Sequence, residues 1–115
     1  MASTATKTLS TAEDACTVVL DSNHATVAFQ LSDVTTVSGG TLEVTFEATV
    51  NGSDWVACEA EISSAATQAT TASAAGVYTV PCAGLARVRA RLNAVTSGES
   101  VVATGRASRA APHWS

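Results

Sequence analysis

Aromatic side chains are scarce in this sequence: two Trp, one Tyr and two Phe make up 4% of its 115 residues. Apolar residues nevertheless account for 46%, and much of that share is alanine and valine. A core of small and β-branched side chains favours a thin structure of two β layers over a large globule. The length suits one domain with a single modest core.

Charged residues are also few, at 14% against the roughly one quarter that is usual in globular domains. Thr, Ser and Ala take their place, and such a surface can pack closely against other protein. The net charge of −4 argues against non-specific binding to nucleic acid. All five arginines lie in the last third of the chain, whereas nine of the ten acidic residues precede residue 62. We therefore expect the basic residues to meet acidic groups of protein rather than phosphate.

Paired cysteines, a hydrophobic leader and a membrane-length apolar run are missing as well. Cys16, Cys58 and Cys82 are widely spaced with no C-x-x-C, which indicates small buried residues in a reducing cytoplasm and no zinc site. The opening MASTATKTLST lacks the apolar segment of a signal peptide, and no stretch approaches the length of a bilayer span. No calcium-binding D-x-D-x-D-G loop occurs. We predict no metal, no cofactor and no membrane partner.

What is present is alternation of apolar and polar residues, clearest in TLEVTFEATV at 41–50. The apolar set Leu42, Val44, Phe46, Ala48 and Val50 points one way, and the Thr and Glu residues between them point the other way into water. NGSD at 51–54 predicts a hairpin turn, because Asn-Gly accepts positive φ at little cost. WVACEA at 55–60 is then the returning strand.

Further strands are predicted at 15–20, 25–31, 76–82, 86–95 and 100–108. The Ala/Thr/Ser-rich segment 63–75 is either a long loop or an exposed, weakly paired strand. Residues 1–12 are interpreted as a flexible N-terminal arm and residues 109–115 as a C-terminal tail. Residues 13–108 are predicted to form an all-β domain of about seven short strands, arranged as a single antiparallel β-sandwich or a jelly-roll-like fold.

No catalytic set is evident. His24 lies in a predicted turn and His113 in the tail, and neither has an oriented partner that general acid–base chemistry would need. We therefore predict that the protein is not an enzyme. Trp55 follows the hairpin turn, where it either caps one end of the core, the interpretation that we favour, or stacks on a sugar.

The row Arg87, Arg89 and Arg91 is the strongest candidate site, with its members spaced about 7 Å apart on one face of a strand. The row either forms cross-strand ion pairs with Glu43 and Glu47 or lies at a subunit interface, and the two roles are compatible. Trp114 in the tail either folds back on its own domain or docks into a neighbouring subunit, since Trp is enriched at interface hot spots.

Residues 40–108 resemble a group of small virion proteins of tailed bacteriophages. The shared pattern is a strand, a G-S-x-W hairpin, the motif G-x-Y-x-V-x-x-x-G-L-x-R-V-R-A-R and a T-S-G turn before a final strand. The residues that carry it are Gly52, Trp55, Gly76, Tyr78, Val80, Gly84, Leu85, Arg87, Val88, Arg89, Ala90, Arg91, Thr96, Ser97 and Gly98. The resemblance implies a β-sandwich structural protein without catalysis.

Within that class the resemblance favours a capsid decoration (cement) protein, made in the host cytoplasm and placed on the head surface. Its expected partners are the major capsid protein, whose subunits it bridges in the expanded head, and further copies of itself, in the simplest case as a trimer. The candidate interface residues are Arg87, Arg89, Arg91, Arg109, His113 and Trp114. The alternative is a tail or fibre accessory module that binds host surface glycan through Trp55 and the segment 63–75.

Overall fold

The structure is a computed structural model that describes residues 4–63 and 67–109. Over these residues the chain forms eleven strands and no helix, so a membrane-spanning helix is not found there either. In chain order the strands are β1 (Thr4–Leu9), β2 (Ala15–Val19), β3 (His24–Thr35), β4 (Glu43–Thr49), β5 (Val56–Ala57), β6 (Ala60–Ile62), β7 (Thr67–Ala69), β8 (Thr71–Ala72), β9 (Gly76–Pro81), β10 (Arg87–Ala94) and β11 (Ser100–Arg109).

These strands form two antiparallel sheets that pack face to face. The six-stranded sheet has the order β1-β11-β3-β9-β6-β7. The five-stranded sheet has the order β2-β10-β4-β5, and the short strand β8 also pairs with β4. The predicted all-β sandwich is therefore confirmed. The strand count exceeds the predicted seven because β1 and several strands of two or three residues were not predicted.

The core lies between the sheets and consists of their inward-facing residues. The rings of Phe29 and Phe46 have centroids 5.8 Å apart, and those of Phe46 and Tyr78 are 5.3 Å apart. Small and β-branched side chains surround them, as the composition predicts. The alternation predicted in residues 25–31 and 86–95 is confirmed, because the buried residues include Val27, Phe29, Leu31, Val88, Ala90 and Leu92.

The outer face of β4 differs from the prediction. The alternation places Thr45, Glu47 and Thr49 in water, but all three are buried. β4 lies inside the five-stranded sheet, between β10 and the short strands β5 and β8, and long side chains of β10 reach across it. Val50 is predicted to face inward but is 70% exposed, since β4 ends at the preceding residue.

The turn at residues 51–54 joins β4 to β5 as predicted. Asn51 contributes to this turn in a different way from the one predicted. Only Gly52 adopts positive φ, at 87°, and Asn51 does not. Asn51 acts through its side chain, whose Oδ1 accepts hydrogen bonds from the backbone N–H groups of Ser53 and Asp54 at 2.9 and 2.8 Å. Asparagine favours such loops because its side chain can bond the backbone just after it.

The predicted return strand at 55–60 is divided between the two sheets. β5 pairs with β4, whereas β6 starts at Ala60 and pairs with β9, so the chain crosses between the layers at Cys58 and Glu59. Thr67–Ala69 then form the largely exposed strand β7, and Thr71–Ala72 form β8, in which Ala72 is buried. β7 matches the second interpretation of the segment 63–75, an exposed and weakly paired strand, whereas β8 pairs with β4 and contributes Ala72 to the core. Residues 64–66 lie outside the described residues.

Both predicted termini need correction where the structure describes them. Residues 4–9 of the expected arm form β1, which pairs with β11 along its whole length. Their alternation places Leu9 in the core, fully buried, and threonine suits a strand. At the other end β11 extends to Arg109, so this residue belongs to a strand. The remaining tail, with His113 and Trp114, lies outside the described residues.

Candidate functional site

The predicted arginine row lies on the outer face of the five-stranded sheet. β10 runs between β2 and β4, and the alternate residues of β10 fill the core, so Arg87, Arg89 and Arg91 point away from it. Arg89 lies directly opposite Glu47 in the antiparallel register with β4. The order of the strands therefore brings a row of cations next to a carboxylate on the neighbouring strand.

Glu47 binds two of the three arginines. Its Oε1 accepts hydrogen bonds from Arg89 Nε at 2.8 Å and Arg91 Nε at 3.0 Å, and its Oε2 accepts one from Arg91 Nη2 at 3.1 Å. Burial raises the pKa of Glu47, but the hydrogen bonds and charges of Arg91 and Arg89 outweigh it and hold the pKa below its ordinary value. The hydrogen bond to Glu47 raises the pKa of Arg91.

The network continues beyond these three residues. Arg91 Nη1 donates to Glu13 Oε1 at 2.7 Å, and Glu13 adopts positive φ in the turn between β1 and β2. Glu43, predicted to pair with the row, instead accepts a hydrogen bond from Asn93 Nδ2 at 2.8 Å. The sequence prediction of cross-strand ion pairs is therefore right for Glu47 and wrong for Glu43. Glu13 was missed, because it lies 78 residues from Arg91 in sequence.

Trp55 lies on this same outer face rather than at one end of the core. Its ring is half-buried, and the guanidinium carbon of Arg89 lies 4.0 Å from the ring centroid. Trp55 is absent from the buried core cluster, so the interpretation of it as a core cap does not hold. A stacked guanidinium and indole attract each other electrostatically, which explains why the ring stays at this position.

The three cysteines do not offer a reactive thiol. Cys16 and Cys82 are buried, as predicted, while Cys58 is half-buried. Burial, together with the negative charge of Glu47, raises the pKa of Cys58 to about 11, and burial raises the pKa of the other two thiols. A thiol in this state is a weak nucleophile at neutral pH, because the thiolate is the reactive form.

His24 was predicted to lie in the turn 21–24, but it is the first residue of β3, directly after that turn, and it is buried. Its Nδ1 accepts a hydrogen bond from the backbone N–H of Asp21 at 3.0 Å. Its Nε2 has no hydrogen-bond partner among the described residues. The ring thus packs against the turn between β2 and β3, where its Nδ1 also lies 3.5 Å from Oδ1 of the largely exposed Asp21.

A second surface feature, which we call the apolar end, consists of Leu20, Val50, Val56 and Leu85. Val50 and Val56 are 70% and 68% exposed. They line a shallow depression of about 530 Å³ together with Leu85. A neighbouring depression of about 320 Å³ shares Val50 and Leu85 and adds Leu20, so the two form one continuous surface. This surface is not predicted by the sequence pattern, because the alternation at 41–50 assigns Val50 to the core.

The outer face of the five-stranded sheet carries a network of paired charges and a contact between a guanidinium and an indole. Arg89, Arg91, Glu47 and Glu13 pair with one another, whereas Arg87 forms no salt bridge within the described residues. Over residues 4–63 and 67–109 no three His, Cys, Asp or Glu side chains come together as metal ligands would. Of the six candidate interface residues, the structure places Arg87, Arg89 and Arg91 in one row, and Arg109 at the end of β11 on the other sheet.

No family model matches the chain, and no curated protein matches it in sequence. The SPBc2 prophage-derived protein YomS has a similar structure, with a TM-score of 0.71 at 15% identity over 93% of this chain and 94% of YomS. The PBSX exported protein XepA gives 0.68 at 15% identity over 92% of this chain, which spans only 38% of XepA. A chain of the cyanophage Pam1 capsid asymmetric unit gives 0.46 at 18% identity over 93% of this chain.

At these identities the likeness to YomS and XepA is a likeness of fold. It confirms, at that level, the resemblance to phage-derived sandwich proteins that the sequence suggests for residues 40–108. It also extends beyond those residues, since the structural match covers nearly the whole chain, including most of the part that the motifs leave out.

Proposed function

We propose that this protein is a non-enzymatic structural component of a tailed-phage virion, acting as a capsid decoration (cement) protein on the head surface. In this role it lies across neighbouring copies of the major capsid protein and stabilises the expanded head. Two facts support the proposal: the fold shared with the prophage-derived YomS, and the character of the outer face of the six-stranded sheet. The outer face of the six-stranded sheet is the stronger of the two.

The outer face of the six-stranded sheet is broad and made of small, mostly uncharged side chains. The antiparallel register aligns Thr6, Thr104, Gln30 and Val77 in one row across β1, β11, β3 and β9. Thr6 and Thr104 share a hydrogen bond of 3.4 Å between their hydroxyl groups. Such a face can approach another protein closely, because little charge has to be desolvated.

The next row contains the charges of this face. Thr4, Arg106, Ala28, Thr79 and Glu61 are aligned across the same strands and β6. Arg106 and Glu61 are therefore separated by the uncharged residues Ala28 and Thr79, and each can meet a charge on a partner. The sequence signal for this face is the alternation TATKT at 4–8 and VATGR at 102–106.

Self-association would fit the same role. A single small domain gains from binding as a symmetric oligomer, since each weak contact is repeated on the lattice. The simplest form is a trimer whose subunits meet through the arginine row, with Arg87 the member that is most available. Arg87 is exposed and forms no salt bridge within the described part of the chain, whereas Arg89 and Arg91 are engaged by Glu47.

The alternative of a glycan-binding tail or fibre module rests on Trp55. The geometry does not favour it, because Arg89 covers one face of the indole at 4.0 Å and a sugar stacking there would displace the guanidinium. Trp55→Ala separates the two roles: a decoration protein keeps its binding to heads, whereas a glycan-binding module loses its binding to host cells.

The test of the proposal is immunogold electron microscopy of virions of the phage that encodes this chain, using antibody raised against the purified protein. We expect label over the whole head surface. Label confined to the tail or fibres would replace the decoration role with host attachment. Absence of label from virions, with the same antibody detecting the protein in the infected cell, would overturn the virion role altogether.

A further inference from the structure

We propose that the apolar end is the surface through which copies of this chain associate, around a rotation axis that passes close to Val50. In this arrangement Arg87 of each copy pairs with Asp54 of the next. The inference rests on the self-association part of the proposed function and names the residues that form it; contact with heads plays no part in it. Three observations support it: the clustering of exposed apolar side chains, the strand order and the position of the charges.

The most exposed large apolar residues of the described chain lie together. Val50, Val56 and Val19 are 70%, 68% and 58% exposed, whereas the other two exposed large apolar residues reach only 37% and 39%. Val50 and Val56 belong to the apolar end, and Val19 directly precedes its Leu20. A cluster of exposed apolar side chains marks a contact with other protein more often than scattered single residues do.

This surface exists because the strands of the five-stranded sheet end there. β4 stops at Thr49, and Val50 continues the inward alternation of Phe46 and Ala48 at a point that the core no longer covers. On the neighbouring strand β5, Val56 lies opposite the inward-facing Ala48 and is exposed as well. The two valines therefore extend the inner face of the sheet beyond the core, where another chain can cover them.

Charges of opposite sign lie on the two sides of Val50. β4 runs between β10 and β5, Arg87 is the first residue of β10, and Asp54 directly precedes Trp55 and β5. Arg87 lies opposite Thr49, the residue before Val50, so the cation is beside this valine on the β10 side and the carboxylate on the β5 side. Neighbouring strands are about 4.8 Å apart, so the two sides are separated by about 10 Å.

Both charged groups are available to a partner. Arg87 and Asp54 are exposed, and neither forms a salt bridge within residues 4–63 and 67–109. Asp54 accepts a hydrogen bond from Asn51 Nδ2 at 2.7 Å through its Oδ2. The rest of the arginine row is engaged by Glu47, so Arg87 is the arginine of this row that another chain can reach.

A second copy of this chain is the occupant that the pattern fits. A different partner would need an apolar surface, an anion and a cation at matching positions, and this chain itself presents all three. When copies meet around an axis at Val50, the Arg87 side of one copy faces the Asp54 side of the next, in a closed ring. The valines then fill the centre, and each guanidinium can donate two parallel hydrogen bonds to a carboxylate, which fixes the orientation of the copies.

The experiment is sedimentation velocity of the purified full chain over a range of concentrations. We expect the wild type to associate and Val50→Asp to remain monomeric at every concentration. Val77→Asp is the matched control, because Val77 is an exposed valine on the outer face of the other sheet. Circular dichroism melts confirm that each variant is folded. A wild type that stays monomeric throughout, or equal effects of the two substitutions, would overturn the proposal.

Charge reversal tests the ion pair between copies. Arg87→Asp and Asp54→Arg should each weaken the assembly, because each places two like charges together. The double variant should restore the assembly, since exchanging the two signs recreates every pair. A turn damaged by loss of the Asn51–Asp54 hydrogen bond would not be repaired by the second substitution. A double variant that associates no better than the two single variants would overturn the pairing.

Binding to heads, measured separately, distinguishes this inference from the decoration role. A monomeric wild type that still binds heads would overturn the association through the apolar end and support decoration. A chain that associates in the way described, with rescue by the double variant, but does not bind heads would support the inference and overturn decoration.

Discussion

Glu47 is the residue that neutralises the arginine row, and it couples folding to pH. Its pKa in the folded protein lies below the ordinary value of about 4.5, so its contribution to stability is fully present above that pH and is lost as the pH falls through the lowered pKa. We expect Glu47→Gln to lower the free energy of unfolding by about 1–3 kcal/mol at neutral pH. In acid the difference from wild type should shrink towards zero.

Urea denaturation followed by circular dichroism over a series of pH values measures this effect. Glu61→Gln is the matched control, because Glu61 is exposed on the other sheet and forms no salt bridge within the described residues. If the free energies of unfolding of the wild type and Glu47→Gln differ by the same amount at neutral and acidic pH, Glu47 does not couple folding to pH.

Glu99 is a second buried carboxylate, and it joins two loops. Its Oε2 accepts the N–H of Val37 at 3.2 Å and its Oε1 accepts the N–H of Thr96 at 2.8 Å. Gly40 passes so close that a Cβ there would collide with the carboxylate. We expect Glu99→Ala to cost about 1–3 kcal/mol, since two N–H groups lose their acceptor. Thermal unfolding, with exposed Glu59→Ala as the control, measures the loss, and equal melting temperatures would contradict it.

At the scale of elements, β1 is a structural edge of the six-stranded sheet. It pairs with β11 at six positions, and Leu9 is fully buried. Leu9→Ala should therefore lower the free energy of unfolding by about 2–5 kcal/mol, as expected for a leucine removed from a core. Thr8→Ala, at the exposed neighbouring position, should have little effect. If both variants unfold at the same denaturant concentration as wild type, residues 4–9 behave as a free arm after all.

The position of β1 also affects how a contact between residues 1–12 and a partner can be tested. Deleting residues 1–12 removes an edge strand together with any contact to a partner, so loss of binding in that deletion would not identify an interface. Substitutions of exposed residues on β1 avoid this difficulty, because they leave the pairing with β11 intact.

A test of the arginine row likewise needs a residue whose substitution does not destabilise the fold. Arg89→Glu would place a second carboxylate against Glu47 and destabilise the sheet itself. Arg87→Glu avoids this contact, and we expect it to keep the melting temperature within about 2–4 °C of wild type, as for most surface substitutions. If the row forms the subunit interface, light scattering of Arg87→Glu shows a smaller mass. Retention of the wild-type mass would leave the row as a solvated face.

At the scale of the whole molecule, the decoration role makes a thermodynamic prediction. A protein that binds only the expanded head stabilises it by mass action, by about 2.7 kcal/mol per site at a free concentration of one hundred times Kd. Heads assembled without this protein should therefore withstand a higher temperature once it is added. The release of DNA on heating measures this effect.

The outer face of the six-stranded sheet can be tested in the same assay. Thr104→Glu places a charge in the middle of the proposed contact face, whereas Thr17→Glu places one on the opposite sheet beside Arg89. We expect Thr104→Glu to abolish the stabilisation of heads and Thr17→Glu to retain it. The reverse result would move the contact face to the other sheet.

Much of the fold could be predicted from the local alternation of apolar and polar residues. The alternation in β3 and β10 identified the buried faces correctly, because the period of two in a strand is a property of the backbone itself. The site was accessible only in part. The pairing of Arg89 and Arg91 with Glu47 followed from the strand pattern, but Glu13 joins the network from a turn distant in sequence.

The sequence by itself determined that this chain is a two-layer β structure with small core residues and a row of arginines on one strand. Those properties depend on composition and on the spacing of neighbouring residues. Only the tertiary structure decided that the polar face of β4 is covered, that Trp55 lies under Arg89 and that Val50 is exposed. The reason is that burial of a side chain depends on which strands lie beside it and on where each one ends, and these are properties of strand order rather than of local sequence.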